Sequence, residues 1–385
     1  MAAAGLAALA VAMGIGRFAF TPILPMMQED AGLSIAAGAW LASANYLGYL
    51  VGALSAIRAP IRPEHAIRGG LVTIGLATAG MGLYDSFALW VLLRTLAGVA
   101  SAWVLVCTSA WCLERLAPLR RPLLESAVFA GVGAGIALAG AACLSFMRLH
   151  TTSARAWVLF GIASLAVTAV IWRVFGAGES ATLASRRGSG PEPAWNGEWV
   201  RLTLCYGAFG FGYIIPATFL PVMARRAIAD PAVFGLSWPL FGAAAIASTL
   251  LASAVRRLVT NRRLWIGSHL VMAVGVALPV IRPGIAATML AALCVGGTFM
   301  VITMVGMQEA REVAGARATA LMAAMTSAFA LGQIAGPIAA SFLHGPGGDF
   351  SPALLVAGAA LVASAWALWS RRPPGVSRGG ASGVE

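Results

Sequence analysis

The sequence predicts an all-α polytopic membrane protein with 12 transmembrane helices in two pseudo-symmetric halves of six helices each. Three observations predict this fold class. Hydrophobic residues make up 59% of the 385 residues and charged residues only 10%, whereas about a quarter of the residues of a soluble domain are charged. Apolar runs long enough to cross roughly 30 Å of hydrocarbon recur along the chain. In addition, a segment near the N-terminus returns about half a chain length later.

Each apolar run has roughly the 20 residues that a membrane-spanning helix needs. Six runs precede a polar stretch and six follow it, and the shortest run ends at the polar pair Tyr84-Asp85. In chain order the predicted spans are 3–27, 36–57, 67–84, 86–113, 123–147, 155–175, 199–223, 233–255, 263–281, 284–308, 318–343 and 350–370.

The composition also predicts how the chain is divided. Residues 1–175 form an N-terminal six-helix bundle and residues 198–370 a C-terminal one. The stretch 176–197 is rich in Gly, Ser, Pro and charge, as is typical of a flexible linker. The tail 371–385 has the composition of a disordered segment. We expect both the linker and the tail to be cytoplasmic.

The internal repeat indicates where a solute would bind. Segment 14–27 returns at 210–223, with two glycines, a Leu-Pro pair and a final Met in register. Both copies lie in apolar runs that Gly and Pro interrupt. Such interrupted segments at corresponding places in two halves are typical of the binding site of a secondary transporter. The repeat therefore predicts transport across a membrane, with the site near mid-depth.

The positive charge is a topology signal. The net charge is +12, from 26 arginines and no lysine. Nineteen arginines fall in the tail and the connections on one side of the predicted membrane, five fall on the other side, and Arg17 and Arg94 lie within spans. Since positive residues stay on the cytoplasmic side, we expect both termini inside the cell, in the inner (plasma) membrane. We expect no nucleic-acid partner.

The two intramembrane arginines are the first candidates for a site, because a charge at the bilayer centre costs a few kcal/mol on insertion scales. Arg17 and Arg94 start at nearly the same predicted depth, and every carboxylate lies in a loop or near a span end. Unpaired guanidinium groups in a cavity favour an anionic ligand. Alternatively, they lock the structure by donating to backbone carbonyls that Pro22 and Pro25 free in the first helix.

Other polar side chains at this depth complete the predicted site. Tyr213 occupies the position in the repeat that Arg17 occupies in the first copy. The predicted substrate-binding residues are Arg17, Arg94, Tyr213, Asn45 and Thr298. Further polar or aromatic candidates, ranked lower, are Tyr46, Tyr49, Tyr206, Thr303 and Gln333.

Metal and enzyme chemistry are disfavoured by the same sequence. The five cysteines all fall in predicted spans, without Cys-x-x-Cys spacing or nearby acids that would complete a metal site. His269 stands alone in its span, which is typical of a hydrogen-bonded packing residue. No loop groups a nucleophile with a base. We therefore expect no cofactor and no enzymatic activity.

The segment from Gly14 to Pro25, followed by the stretch from Trp40 to Gly52, resembles the YbfB/YjiJ-type branch of the major facilitator superfamily. Arg94 and Gly98, with small residues after them, are similar to the superfamily's motif in helix 4. The resemblance implies a cavity lined by helices 1, 4, 7 and 10 and a link between Arg94 and proton coupling. Two departures concern the loop after helix 2, which lacks the superfamily's gating pattern, and helix 5, which has no Gly-Pro pair.

These observations together predict a secondary active transporter of the major facilitator type that moves a small organic solute, anionic or amphipathic, by alternating access. The alternative is a proton-coupled exporter of drugs or metabolites, and a membrane-embedded enzyme is less favoured. The expected partners are the solute, protons as a coupling ion and the lipid bilayer. We expect a monomer.

Overall fold

A computed structural model describes residues 1–58, 62–176, 195–227, 237–256, 258–282, 284–343 and 351–370. Within these ranges every regular element is helical, which confirms the predicted fold class. The predicted linker, apart from its first residue and its last three, and the predicted tail lie outside the described residues.

In the part of the chain that the structure describes, twelve helical rods correspond to the twelve predicted spans, and the first rod has three parts. It consists of α1 (Ala2–Leu9), a π-helix (Ala10–Phe18) and α2 (Phe20–Asp30). The remaining rods are α3 (Ile35–Arg58), α4 (Pro63–Leu83), α5 (Phe87–Leu116), α6 (Pro122–Arg148), α7 (Ser153–Ile171), α8 (Gly197–Ala227), α9 (Ser237–Val255), α10 (Asn261–Ile281), α11 (Ile285–Ala314), α12 (Ala318–Leu343) and α13 (Ser351–Trp369). Short 3₁₀ turns at Ala117–Leu119 and Gly315–Arg317 follow α5 and α11.

The rods have the length and composition of membrane spans. Among the described residues, 11 stretches are long and apolar enough to cross a membrane, and one of them, Met289–Ala340, covers most of both α11 and α12. Large apolar side chains on the outside of the bundle stay exposed, for example Leu76 at 59% and Val170 at 82%. Such a surface suits hydrocarbon rather than water. The chain is a multi-pass membrane protein.

The same pattern of helix packing occurs twice. In the first half, the first rod packs on α6, α3 on α5, and α4 on α7. In the second half, α8 packs on α12, α9 on α11, and α10 on α13. These are corresponding pairs, six rods apart in the chain. The two halves meet through α3 with α12 and through α6 with α9, which are again corresponding contacts.

Glycines let the paired helices approach closely. A Cβ on Gly14 would overlap the backbone of Gly135 in α6, and a Cβ on Gly210 would overlap the carbonyl of Phe329 in α12. Gly14 and Gly210 are equivalent positions of the sequence repeat. The repeated glycines therefore mark the repeated helix contact, as small residues do at helix interfaces in membranes.

Candidate functional site

The first rod changes its helical type at the point where it carries a buried charge. Residues Ala10–Phe18 form the wider π-helix, and α-helical pairing resumes at Phe20. Pro22 has no N–H, so it cannot donate to a carbonyl four or five residues earlier, namely that of Phe18 or Arg17. π-Helical turns are often found at functional sites. Here the wide turn carries Arg17, which is only 4% exposed.

Asn45 of α3 and Arg94 of α5 hold the backbone of this wide turn. Nδ2 of Asn45 donates to the carbonyl of Gly16 at 3.3 Å and to that of Arg94 at 3.0 Å. The Arg94 guanidinium donates to the carbonyls of Gly16 at 3.3 Å and Arg17 at 3.5 Å. Its Cζ also lies 4.7 Å from the centre of the Phe20 ring, a cation–π contact. Two of the predicted site residues, Asn45 and Arg94, therefore both donate to the π-helical turn of the first rod.

Arg17 is placed differently, because its guanidinium points to the other half of the protein. Nη2 of Arg17 donates to Oε1 of Gln333 in α12 at 2.7 Å, across 316 positions of sequence. Its Cζ lies 3.8 Å from the centre of the Tyr49 ring and 5.6 Å from that of Tyr46. Nε and Nη1 are buried and make no hydrogen bond with good geometry to the described residues. Within the same residues, no carboxylate forms an ion pair with Arg17 or Arg94.

An aromatic cluster in the second half lies beside the first rod. Tyr213 of α8 stacks on Phe299 of α11, with ring centres 4.4 Å apart and an angle of 18° between the rings. Phe299 also contacts Phe18, the neighbour of Arg17, at 5.9 Å between ring centres. Thr298 precedes Phe299, but its hydroxyl donates back to its own helix, to the carbonyl of Cys294 at 2.6 Å. The aromatic side chains thus connect Tyr213 to the first rod, whereas the Thr298 hydroxyl is occupied within α11.

A small cavity lies between the two halves. Its water-accessible space is about 10 Å³, roughly the room that one water needs. Side chains of both halves line it: Met13, Tyr49, Leu105, Val132, Tyr206, Phe299, Met300, Thr303 and Phe329. The halves are therefore closed on one another at this level, with aromatic and methionine side chains as the walls.

A polar cluster joins the halves at the end where α6 begins. Oε2 of Glu125 accepts from Nη1 of Arg256, which follows α9, and from Nε2 of Gln308 in α11, both at 3.0 Å. One helical position further, the Ser126 hydroxyl lies 3.2 Å from the Met304 sulfur. Glu125 was predicted to lie near a span end. Its partners could not be predicted, because Arg256 and Gln308 come from the other half of the chain.

His269 makes its hydrogen bond within α10. Nε2 of His269 accepts from the indole N–H of Trp265 at 3.0 Å, and the ring is fully buried. This is the hydrogen-bonded packing arrangement that a lone intramembrane His predicts. Of the residues that the structure describes, no three His, Cys, Asp or Glu side chains come together in a way that could hold a metal ion.

The structure therefore brings Arg17, Arg94 and Asn45 together at the π-helical turn of the first rod and places Tyr213 within the aromatic cluster. Gln333 is among the lower-ranked candidates, because the sequence indicates only that it is a polar residue deep within a predicted span. Its bond to Arg17 is visible only when α12 is packed against the first half. No spacing in the sequence relates two residues so far apart.

Two six-helix halves with matching packing, closed around buried polar groups at mid-length, define the class of two-domain membrane transporters. Comparison with known proteins identifies the branch. The chain belongs to the family described as "Uncharacterised MFS-type transporter YbfB", whose profile matches residues 9–368. It is thus a transporter of the major facilitator superfamily. No match was found among curated protein sequences.

Solved structures share the same architecture. The chain is similar to the crystal structure of the human organic anion transporter MFSD10 (TETRAN), with a TM-score of 0.71 and 15% sequence identity. The alignment covers 95% of this chain and 99% of that one. At this identity the likeness shows the common fold.

Proposed function

We propose that this transporter moves a small organic anion, or an amphipathic solute with an anionic group, across the inner membrane by alternating access. The observation that carries the proposal is Arg17, a buried guanidinium at the contact between the halves. Two of its three nitrogens have no hydrogen-bond acceptor of good geometry among the described residues. A carboxylate or phosphate would satisfy these donors and neutralise the charge.

In this proposal the arginines have separate roles. Arg17 binds the anionic group, and the rings next to it and around Tyr213 contact the apolar part of the solute. Arg94 and Asn45 fix the backbone on which Arg17 stands, which their hydrogen bonds to Gly16 and Arg17 carbonyls support. Thr298 remains a predicted wall residue.

We further propose that the end carrying Glu125 and Arg256 faces the cytoplasm, as the arginine distribution predicts. The polar cluster there would keep the site closed on that side, and its separation would open the site inward. A solute drives this change only through different affinities for the two states. Proton coupling, with Arg94 taking part, is the alternative that the resemblance implies.

Uptake into proteoliposomes tests the proposal. A panel of carboxylates and phosphate monoesters, each paired with a neutral amide or alcohol, would be assayed with and without a pH gradient. We expect transport of anions but not of their neutral counterparts, a loss of at least tenfold in kcat/KM in Arg17→Gln, and partial retention in Arg17→Lys, since Lys keeps the charge but not the fork geometry.

The matched control is Arg68→Gln, which removes a charge elsewhere in the first half. Arg68 lies in α4 and donates to the carbonyl of Trp172, which follows α7 of the same half, at 3.0 and 2.7 Å. Its transport should equal that of the wild type. Equal transport by Arg17→Gln and wild type would remove Arg17 from the site and refute the anion specificity.

A further inference from the structure

Gln333, the hydrogen-bond acceptor of Arg17, lies on the opposite half of the protein. Gln333 is 1% exposed, and its Oε1 lies 2.7 Å from Nη2 of Arg17. The bond thus crosses the boundary along which the two halves separate during alternating access. It is also a bond to a neutral acceptor, which neutralises none of the guanidinium charge.

A carboxylate binds a guanidinium in bidentate fashion at the edge formed by Nε and Nη2 or at the edge formed by Nη1 and Nη2. Both edges include Nη2, so an anionic solute that uses a free nitrogen of Arg17 also competes with the Gln333 amide for Nη2. A carboxylate forms a stronger, charge-assisted pair with a guanidinium than an amide oxygen does. A neutral solute offers only another neutral acceptor and gains nothing by the exchange. The amide therefore lowers the affinity for every solute, but only an anion has enough interaction energy to displace it.

We propose that Gln333 is an internal competing ligand: its amide oxygen occupies the position of one oxygen of the anionic solute and so determines the selectivity of the site for anions. Displacement of the amide by the solute removes a bond between the halves at the moment of binding. This inference rests on the proposed function, because it requires that Arg17 binds the anionic group of the solute.

Variants of Gln333 should change anion affinity in opposite directions. Gln333→Met keeps the length of the side chain but has no strong acceptor, so Arg17 becomes free for the solute. Gln333→Glu supplies a fixed carboxylate that pairs with Arg17 and excludes the solute. A change at this position that only disturbed packing would weaken binding in both variants.

The probe is benzoate, since the rings of Phe18, Tyr46 and Tyr49 surround the guanidinium. Its binding to the purified full-length protein would be measured by titration calorimetry, with benzamide as the neutral match. A hydrogen bond to a charged group is lost in Gln333→Met, so we expect benzoate to bind about tenfold more tightly. In Gln333→Glu we expect binding to weaken at least tenfold.

Two further variants keep the test decisive. Thr326 lies two turns earlier in α12, and its hydroxyl donates to the Met322 carbonyl of the same helix at 2.7 Å. The variant Thr326→Val should bind benzoate like the wild type. Gln333→Asn, with a side chain shorter by one methylene, should tighten binding as Met does, and it replaces Gln333→Met if that variant does not fold.

The outcomes separate this inference from the proposed function. If Gln333→Met and Gln333→Glu both weaken binding, or both leave it unchanged, while Arg17→Gln abolishes it, the competing-ligand role is wrong and the anion site stands. If Arg17→Gln binds benzoate like the wild type, or neither the wild type nor Gln333→Met binds it, the anion site is wrong and the inference with it.

Discussion

The stability of the π-helical turn in the first rod can be tested quantitatively, because one backbone carbonyl accepts hydrogen bonds from two side chains. Nδ2 of Asn45 and Nη1 of Arg94 both lie 3.3 Å from the carbonyl oxygen of Gly16. After Asn45→Ala the carbonyl keeps Arg94, and after Arg94→Met it keeps Asn45. Only the double variant leaves it without either side-chain donor. The two substitutions should therefore not be additive.

The expected magnitudes follow from the bonds. Asn45→Ala removes two neutral donor contacts, about 1 kcal/mol each, so we expect a loss of about 2 kcal/mol in the free energy of unfolding. Arg94→Met removes two long bonds from a charged donor, about 1.5 kcal/mol each at the low end, part of which is offset because a buried charge is removed. In the double variant the carbonyl loses both side-chain donors, and we expect a further loss of roughly 1 to 2 kcal/mol.

The assay is reversible unfolding of the purified variants in mixed detergent micelles, followed by tryptophan fluorescence. Thr249→Val is the control, because the Thr249 hydroxyl bonds within α9 of the other half, to the Ala245 carbonyl at 2.6 Å. Combined with Asn45→Ala it should give the sum of the two single effects. If the Asn45–Arg94 double variant also equals the sum within about 0.5 kcal/mol, the shared-carbonyl argument is refuted.

Three further predictions concern packing, the aromatic wall and the polar end. Gly14→Val should abolish the yield of monodisperse protein in size-exclusion chromatography, because its side chain would overlap the Gly135 backbone, whereas Gly69→Ala, with open space around its Cβ, should not. Tyr213→Leu should raise the KM for a transported anion about three- to tenfold by removing the stack on Phe299, whereas Tyr213→Phe should not; equal effects would refute the stacking role. Glu125→Gln, which breaks the 3.0 Å ion pair with Arg256, should speed maleimide labelling of Ser126→Cys severalfold in a cysteine-free background. Glu114→Gln, at an exposed carboxylate, should leave labelling unchanged.

The positions of the helices could be predicted because lipid imposes a strict rule. A chain in hydrocarbon must pair its backbone groups within each segment, so a long apolar run has to be a helix. This rule applies only to residues within the lipid, so the errors in the predicted spans lie at the ends of the helices. The predicted span 284–308 extends to Ala314 in α11, and the predicted span 67–84 begins at Pro63 in α4. Beyond the apolar core these helices continue for reasons that hydropathy does not measure, such as Pro at the first turn of α4.

The depth of the two arginines could also be predicted. One of the two alternatives for their partners, backbone carbonyls of the first helix, describes Arg94, whereas the partner of Arg17 could not be predicted. Counting residues from the span ends places Arg17 and Arg94 at one level, and the structure brings Nη2 of Arg94 to 3.5 Å from the Arg17 carbonyl. Pro22 indicates where backbone carbonyls of the first helix are freed, but the sequence does not show that the freed turn is a π-helix or that Asn45 of α3 and Arg94 of α5 donate to it. The Gln333 contact depends in turn on how the two halves pack.

The two buried arginines therefore have different relations to their surroundings, although insertion into a membrane is equally costly for both. Arg94 directs both Nη atoms at carbonyls of a helix in its own half, and only its Nε lacks an acceptor of good geometry among the described residues. The two bonds persist when the halves move as rigid bodies. Arg17 directs one donor at a side chain of the opposite half and leaves two without a good acceptor. The hydrogen bond to Gln333 offsets only part of the free-energy cost of burying the Arg17 charge, and this bond is lost when the halves separate. An anionic solute that binds at that moment supplies the acceptor and the negative charge that the Arg17 guanidinium lacks. Solute binding and movement of the halves can therefore be coupled at Arg17 rather than at Arg94.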